Sequence, residues 1–258
     1  MRIGVCGAGG RMGREVCRAV AAETDMDLVC AVDPAWEGKR VEELTPGTGV
    51  SLEVSADIEE LERAGAEAMV DFSVAEAAKK NVSFALSRGI NCVVGTTGFE
   101  AEDLDRFSLE ADRAGVACLV VPNFAVGAVL MMDFARRAAS HMEACEIVEL
   151  HHPAKLDAPS GTARMTARLV GGEESSSTEE LEGGGPRGIE LHGVRVHSVR
   201  LPGLVAHQEV IFGGRGQTLT IRHDSYDRTS FMPGVILALR RIGDFKGLVV
   251  GLDKVMDL

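Results

Sequence analysis

Short, uninterrupted apolar runs alternate with amphipathic segments through the first 121 residues, and no other feature constrains the fold as much. Strands are expected at Met1–Cys6, Asp27–Asp33, Ala68–Phe72, Asn91–Gly95 and Val116–Val121. Helices are expected at Arg11–Glu23, around Leu61, at Val74–Ser87 and at Glu102–Ala114. Strands that are apolar along their whole length are buried on both faces, so the pattern reads as a parallel sheet covered by helices on each side. After Val121 the grammar changes. A helix at Val126–Met142 leads to a strand at Cys145–His151, a polar loop and a helix from Ser160. The runs VRVHSVRL, LVAHQEVIF and TLTIRH are strand-like, and GGRGQ joins the last two as a hairpin. Phe231–Ile242 returns to helix, and the Gly-, Ser- and Glu-rich stretch Gly171–Gly188 is expected to be an exposed, mobile connection.

The segment after the first strand, Gly7-Ala8-Gly9-Gly10-Arg11-Met12-Gly13, places glycines at 7, 10 and 13, with Met12 where G-x-G-x-x-G would require glycine. The physics survives that change of spacing. Small residues admit a pyrophosphate close to the backbone, and the helix that follows presents unpaired N–H groups and a positive dipole end. Asp33, twenty residues past Gly13, ends the second strand, where a carboxylate can take the adenosine ribose hydroxyls. A tight turn beside a solvated Asp is the plainer alternative. Two later loops, Gly95-Thr96-Thr97-Gly98-Phe99 and Pro122-Asn123-Phe124, also follow strands. Either alone is ordinary turn chemistry, but with the first loop they describe a cofactor cleft. The expected architecture is therefore α/β. A Rossmann-type doubly wound parallel sheet spans 1–122, a second α+β domain on an antiparallel or mixed sheet spans 123–232, and 233–258 returns to the first domain.

Composition narrows the partners. The chain of 258 residues carries 27 Lys and Arg against 39 Asp and Glu, a net charge of −12. That balance argues against non-specific binding of nucleic acid or anionic membranes. Cys6, Cys17, Cys30, Cys92, Cys118 and Cys145 form no C-x-x-C pair, so neither a disulfide framework nor a zinc site is expected, and the thiols suit a reducing cytoplasm. The run Ile3–Cys6 is too short for the apolar core of a signal peptide. Ala114–Met132 is uncharged over nineteen residues, but Pro122 and Asn123 break it into a buried strand, a turn and the start of a helix. No membrane role is expected.

The densest chemistry is Glu149-Leu150-His151-His152-Pro153-Ala154-Lys155-Leu156-Asp157-Ala158-Pro159-Ser160-Gly161-Thr162. Two imidazoles and an ammonium within one short segment can exchange protons near neutral pH or hold a carboxylate. Ser160-Gly161-Thr162 looks like a helix N-terminus whose N–H groups and hydroxyls can grip an anion. A metal site is disfavoured, because neighbours on an extended segment point to opposite sides and no H-E-x-x-H is present. A serine nucleophile needs a sharp elbow, which Ala158-Pro159 before Ser160 does not supply. A polar loop with a solvated Lys and a capping Ser stays open. Arg187–Arg228 holds six arginines and four acids, a local +2 that suits either a small anionic substrate or an oligomer interface. Arg195, Arg200 and Arg222 are expected to be mostly structural, and His197 and His207 to be hydrogen-bonded sheet residues.

GAGGRMG at Gly7, DFS at Asp71, GTTGF at Gly95, PNFAVG at Pro122, ELHHPAKLDAPSGTA at Glu149, PGLVAHQEVIF at Pro202 and the SF pair at Ser230 together resemble the 4-hydroxy-tetrahydrodipicolinate reductase family over nearly the whole chain. The resemblance implies hydride transfer from NADH or NADPH to a cyclic dicarboxylated imine, formed by loss of water from 4-hydroxy-tetrahydrodipicolinate, in lysine and diaminopimelate biosynthesis. It implies His151 as proton donor and acceptor, Lys155 as second proton donor, and His152, Gly161 and Thr162, beside Lys155 and Ser160, as substrate-binding residues. It also implies cofactor contacts at Gly7, Ala8, Gly9, Gly10, Arg11, Met12, Asp33, Gly95, Thr96, Thr97, Val121, Pro122, Asn123 and Phe124, and a homotetramer through the middle sheet. Many members carry an arginine just after the acid that ends the second strand, where this chain has Pro34. With Lys39 and Arg40 the nearest cations along the chain, NADH is expected to serve at least as well as NADPH. The competing readings are a dinucleotide-binding redox sensor without turnover and a related reductase of another imino or keto acid.

Overall fold

The computed structural model describes residues 1–172 and 186–258, so the expectation for Gly171–Gly188 falls mostly on residues 173–185, outside the described residues. The chain divides into two compact units, Met1–Phe124 with Phe231–Leu258, and Ala125–Ser230.

The first unit contains β1 (Arg2–Cys6), α1 (Arg11–Ala22), β2 (Asp27–Val32), α2 (Val41–Leu44), β3 (Val54–Ser55), α3 (Glu60–Arg63), β4 (Ala68–Asp71), α4 (Ala75–Ser87), β5 (Asn91–Val94), α5 (Ala101–Ala114) and β6 (Ala117–Val120). Its seven-stranded sheet has the order β12-β6-β5-β4-β1-β2-β3, all parallel, where β12 is Gly247–Val250 from the C-terminal segment. Every residue of β4 and β6 is buried, the signature of a strand covered on both faces. One face packs Cys6, Val32, Met69, Cys92, Val94, Cys118 and Val120 against Val82, Ala85 and Leu86 of α4 and Phe107 and Ala111 of α5. Capping ends these helices cleanly: Glu100 and Asp103 form a capping box at the start of α5, and Gly115 closes it at φ +70°. All six cysteines are free, and burial pushes the Cys17, Cys30 and Cys145 thiols up to about 12. They pack as small apolar groups.

The second unit contains α6 (Val126–Ala139), β7 (Ala144–His151), α7 (Gly161–Gly171), β8 (Ile189–Leu191), β9 (Val194–Arg200), β10 (Ala206–Gly214) and β11 (Gln217–Ser225). Its five-stranded sheet runs β11-β10-β7-β9-β8, antiparallel except for the parallel pair β7 and β9. Arg215 and Gly216 turn the β10–β11 hairpin, with Gly216 at φ +74°. One sheet face, Ile147, Val194, Val196, Val210 and Phe212, packs on Met131 and Ala135 of α6 and Ala163 and Ala167 of α7. Toward the carboxyl end of β7 the same face turns polar: Glu149 stands opposite Gln208 and Ser198, and His151 opposite Ala206 and Arg200.

The C-terminal segment adds α8 (Met232–Arg241), β12 and α9 (Leu252–Val255) to the first unit. The junctions fall at Phe124/Ala125 and Ser230/Phe231, whereas the sequence placed them at 122/123 and 232/233. Phe124 stays with the first unit because its buried ring packs on Phe72 at 5.5 Å, and Phe231 because it is the N-cap of α8. The sequence reading gave β3, β8, β12 and α2 no element. Ala114–Met132 resolves into β6, the turn at Pro122–Asn123 and the start of α6. No helix among the described residues is long and apolar enough to cross a membrane.

Gly13 shows how tightly the first turn is built, since a Cβ there would stand 2.0 Å from the Gly7 carbonyl oxygen. Alanine normally gains roughly 0.5–1 kcal/mol over glycine inside a helix. Here we expect Gly13→Ala to lose about 1–3 kcal/mol instead, because the backbone must shift to admit the methyl group. A urea titration checks this, and a variant as stable as wild type would show that the turn yields freely.

Candidate active site

The residues expected to hold a dinucleotide lie on the first unit, at the carboxyl ends of β1, β2, β5 and β6. Gly7 adopts φ +74°, and its amide donates to the Val32 carbonyl at 2.8 Å. Ala8 is buried beneath it. Helix α1 starts at Arg11 without a side-chain cap from Gly10, and its first intrahelical bond runs from the Arg14 amide to the Gly10 carbonyl at 3.1 Å. The amides of Arg11, Met12 and Gly13 therefore stand ahead of the helical ladder. A Cβ on Gly9 would strike the Trp36 ring at 2.0 Å. A backbone cradle that only glycine permits, at the positive end of a helix, fits a pyrophosphate.

Asp33 is tied into this cradle. Its Oδ2 accepts from the Gly9 amide at 2.9 Å and its Oδ1 from the Ala35 amide at 3.1 Å. The Gly9 carbonyl in turn accepts from Arg14 Nε at 2.8 Å, and the Arg14 guanidinium lies 4.6 Å from the Trp36 ring centroid. Arg14 is thus linked to Asp33 through the Gly9 peptide, while the sequence named Lys39 and Arg40 as the nearest cations along the chain. Lys39 is paired with Glu43 at 3.8 Å. Arg14 was findable: it lies one helical turn past Gly10, on the helix that starts the cradle.

The other two loops meet the first through Phe72 and Asp71. A Cβ on Gly7 would meet the Phe72 carbonyl oxygen at 2.7 Å, and one on Gly95 would meet the Phe72 ring at 2.1 Å. Val121 and Phe124 bury their side chains, so backbone is what they offer a ligand, and Pro122 is exposed. Asp71 is fully buried and accepts four hydrogen bonds, from the Ser73 amide at 2.9 Å and from Ser73 Oγ, Asn81 Nδ2 and Thr96 Oγ1 at 2.8 Å each. The Thr96 hydroxyl is therefore committed to Asp71 as a donor, while Thr97 is exposed. The sequence quoted DFS without giving Asp71 a role. The available signal was an acid closing a strand that is otherwise wholly apolar.

The proton-handling candidates lie on the second unit. His151 ends β7, and its Nδ1 is hydrogen-bonded to Glu149 Oε2. Glu149 is fully buried and gripped in bidentate fashion by Arg200, Nη1 to Oε2 at 3.0 Å and Nη2 to Oε1 at 2.8 Å. Burial pushes the Glu149 carboxyl up, but hydrogen bonds from His151, Arg200 and Ser198 outweigh it and hold the group at about 2. Arg200 also donates to the carbonyls of Lys155 at 3.3 Å and Asp157 at 2.7 Å. Arg200, expected to be mostly structural, joins Glu149 to the turn that carries Lys155. Arg195 and Arg222 pair with Glu190, and with Glu209 and Asp224, as sheet-face ion pairs. His197 bonds Glu146 at 2.8 Å, and His207 bonds Asp224 at 2.6 Å.

Past His151 the chain turns. His152 is exposed, and Lys155 Nζ pairs with Asp157 at 2.8 Å. Ser160 is buried and caps α7 by accepting from the Ala163 amide at 3.2 Å. The first intrahelical bond of α7 runs from the Arg164 amide to the Ser160 carbonyl at 3.0 Å, so the Gly161 amide stands ahead of the helical ladder. Nothing lies within 4 Å of a Cβ placed on Gly161. Gln208 Nε2 donates to Thr166 Oγ1, which donates to the Thr162 carbonyl, each at 2.8 Å, so the sheet fixes the first turn of α7.

Residues 1–124 match the family described as dihydrodipicolinate reductase, N-terminus, and residues 127–256 the one described as dihydrodipicolinate reductase, C-terminus. A relative from Nocardia farcinica named 4-hydroxy-tetrahydrodipicolinate reductase is 48% identical over 269 residues, covering 100% of this chain and 99% of its own. One of the same name from Listeria welshimeri is 45% identical over 263 residues, with 100% of both chains covered. Among solved structures, a dipicolinate-bound dihydrodipicolinate reductase from Paenisporosarcina sp. TG-14 gives a TM-score of 0.84 at 36% identity over 98% of each chain.

Two outcomes test these supports. Asp71→Asn leaves four donors facing an amide that can accept fewer of them. It should cost about 1–3 kcal/mol in unfolding free energy and weaken NADH binding by about tenfold. An unchanged dissociation constant would show that Thr96 needs no support from Asp71. Because the folded Glu149 carboxyl sits at about 2 against an ordinary 4.5, its stabilisation is complete above pH 4.5 and lost as pH falls through 2. The stability gap between wild type and Glu149→Gln, measured by urea unfolding, should therefore narrow over that window. A gap that stays constant would contradict the assignment.

Proposed function

The chain belongs to the dihydrodipicolinate reductase family, and from that premise we infer that it reduces 4-hydroxy-tetrahydrodipicolinate to tetrahydrodipicolinate with NADH or NADPH, using His151 and Lys155 to handle protons. The observation that carries the reading is the strand–turn–helix of residues 149–162, which gathers an imidazole, an ammonium and an anion-binding helix start in a chain matched from end to end to this family.

The residues that would hold the dinucleotide are Gly7–Met12, Asp33, Gly95–Thr97 and Val121–Phe124. A reduced nicotinamide bound there supplies hydride. The chain's own part follows from the substrate's chemistry. Two carboxylates need cations or N–H donors, for which His152, Lys155 and the helix start at Gly161 and Thr162 are the candidates, with Ser160 holding the helix start in place. Hydride addition to a conjugated imine leaves an electron-rich carbon that must gain a proton. His151 gives that proton from Nε2, since Nδ1 is engaged by Glu149. Lys155 serves the preceding loss of water: it gives a proton to the departing hydroxyl, and the neighbouring ring C–H gives one up, so that step is proton-neutral and the reduction takes only hydride and the one proton from His151. The reading also expects a homotetramer joined through the sheet of the second unit, and sedimentation of the purified protein tests it.

His151→Gln should lower kcat by about 10²–10⁴ while leaving NADH affinity near wild type, because proton transfer and dinucleotide binding reside on different units. A variant within about threefold of wild-type kcat would remove His151 from that role.

For nucleotide choice, the Asp33 carboxylate accepts ribose hydroxyls and repels a 2′-phosphate, and Pro34 offers neither charge nor N–H. NADH is therefore expected to serve at least as well as NADPH when kcat/KM is compared at fixed substrate. An NADPH preference above about tenfold would overturn this and turn attention to Arg14 as the phosphate partner.

A further inference from the structure

Among the described residues, Glu149 is the one acid of the second unit's sheet with no exposed surface, and its position is costly to maintain. A buried ion pair is commonly matched or bettered in stability by well-packed apolar residues of similar volume, so stability alone does not account for Glu149 with Arg200. Their hydrogen bonds point to another role. Glu149 Oε2 is shared between His151 Nδ1 and Arg200 Nη1, while Oε1 takes Arg200 Nη2. The remaining reach of Arg200 goes to backbone: Nε to the Lys155 carbonyl at 3.3 Å, Nη2 to the Asp157 carbonyl at 2.7 Å and Nη1 to the Val199 carbonyl at 2.8 Å. One guanidinium therefore connects the acid behind His151 to the turn that carries Lys155.

We propose that Glu149 and Arg200 are positioning residues for proton transfer: Glu149 holds the neutral His151 ring with its hydrogen on Nδ1 and Nε2 as the exchanging atom, and Arg200 locks the Lys155 turn to that same carboxylate. The proposal rests on the reductase reading given above and extends it. Orientation follows from chemistry. An ionised carboxylate only accepts, so the neutral ring must donate from Nδ1, which leaves the Nε2 lone pair to take up a proton and return it. The carboxylate also stabilises the imidazolium formed when Nε2 is protonated, without taking the proton itself. Arg200 has two tasks at once. It neutralises Glu149, and it holds the carbonyls of Lys155 and Asp157, so the base of the Lys155 side chain does not drift relative to His151.

A first test needs no variant. Nitrogen-15 spectra of the wild-type protein, assigned by loss of the signal in His151→Gln, should show neutral His151 with a protonated-type Nδ1 and a pyridine-like Nε2. The reverse pattern would overturn the proposal, whether or not the protein turns over substrate, so it fails separately from the reductase reading. That reading falls if wild-type protein does not oxidise NADH with substrate. Kinetics give the second test. Glu149→Gln should lower kcat by about 10²-fold with NADH affinity unchanged, and the double variant with His151→Gln should be no more than about threefold slower than His151→Gln alone. Losses that multiply would mean that Glu149 acts independently of His151, and a single variant within about threefold of wild type would dismiss it. Arg200→Lys keeps a cation for Glu149 but not the span to both carbonyls, and it should lower kcat and raise KM for the dicarboxylate by about tenfold each. Unchanged constants would remove Arg200 from the arrangement.

Discussion

A carboxylate sealed from water must be surrounded by donors, and in each unit of this protein such an acid, Asp71 or Glu149, organises the loops proposed to carry the chemistry. Asp71 closes β4 and draws in Ser73, Asn81 and Thr96. Glu149, near the end of β7, draws in His151, Arg200 and Ser198. Each ionised oxygen makes strong hydrogen bonds in a low-dielectric setting, and each would be expensive to leave unpaired. The loops are therefore held by the requirement to satisfy a buried charge, in addition to their own turn propensities. That explains how polar segments rich in Gly, Thr, Ser and Pro keep a defined shape at the rim of an apolar sheet.

The two sites use backbone differently. Around Gly7, close approach is the resource: Gly9 and Gly13 have no room for a Cβ, and the amides at the start of α1 are left for an anion. Around His151, side chains are the resource, and the backbone is what they stabilise, with Arg200 gripping the turn at Lys155 and Asp157 and Gln208 steadying α7 through Thr166. A dinucleotide common to many reactions suits the first arrangement, and a small dicarboxylate with a defined proton demand suits the second.

Much of this was legible in the sequence. Apolar runs without alternation gave the parallel sheet, and the strand, glycine turn and helix that were expected to hold a dinucleotide follow one another as β1, the Gly7–Gly10 turn and α1, with Asp33 hydrogen-bonded to the Gly9 amide. Short elements were missed because a two-residue strand such as Val54–Ser55 carries no periodicity, and β12 lies in a segment that offers only four residues, GLVV, to the sheet edge. The support residues were missed for another reason. Asp71, Glu149 and Arg200 act through partners up to 51 positions away in sequence, so spacing along the chain does not reveal them. Arg200 was read as structural because a lone arginine on a strand looks like a solvated face. Only the register of β9 against β7, which sets Arg200 opposite His151, shows what it reaches.

In the proposed reaction labour is divided, with hydride coming from the dinucleotide and the balancing proton from an acid on the chain that exchanges with water. Isotope tracing tests it most directly. With nicotinamide deuterated at the transferring position in ordinary water, and with unlabelled nicotinamide in deuterium oxide, the product should gain one deuterium in each experiment, on different ring carbons. A product that acquires no deuterium from the nicotinamide would contradict the account.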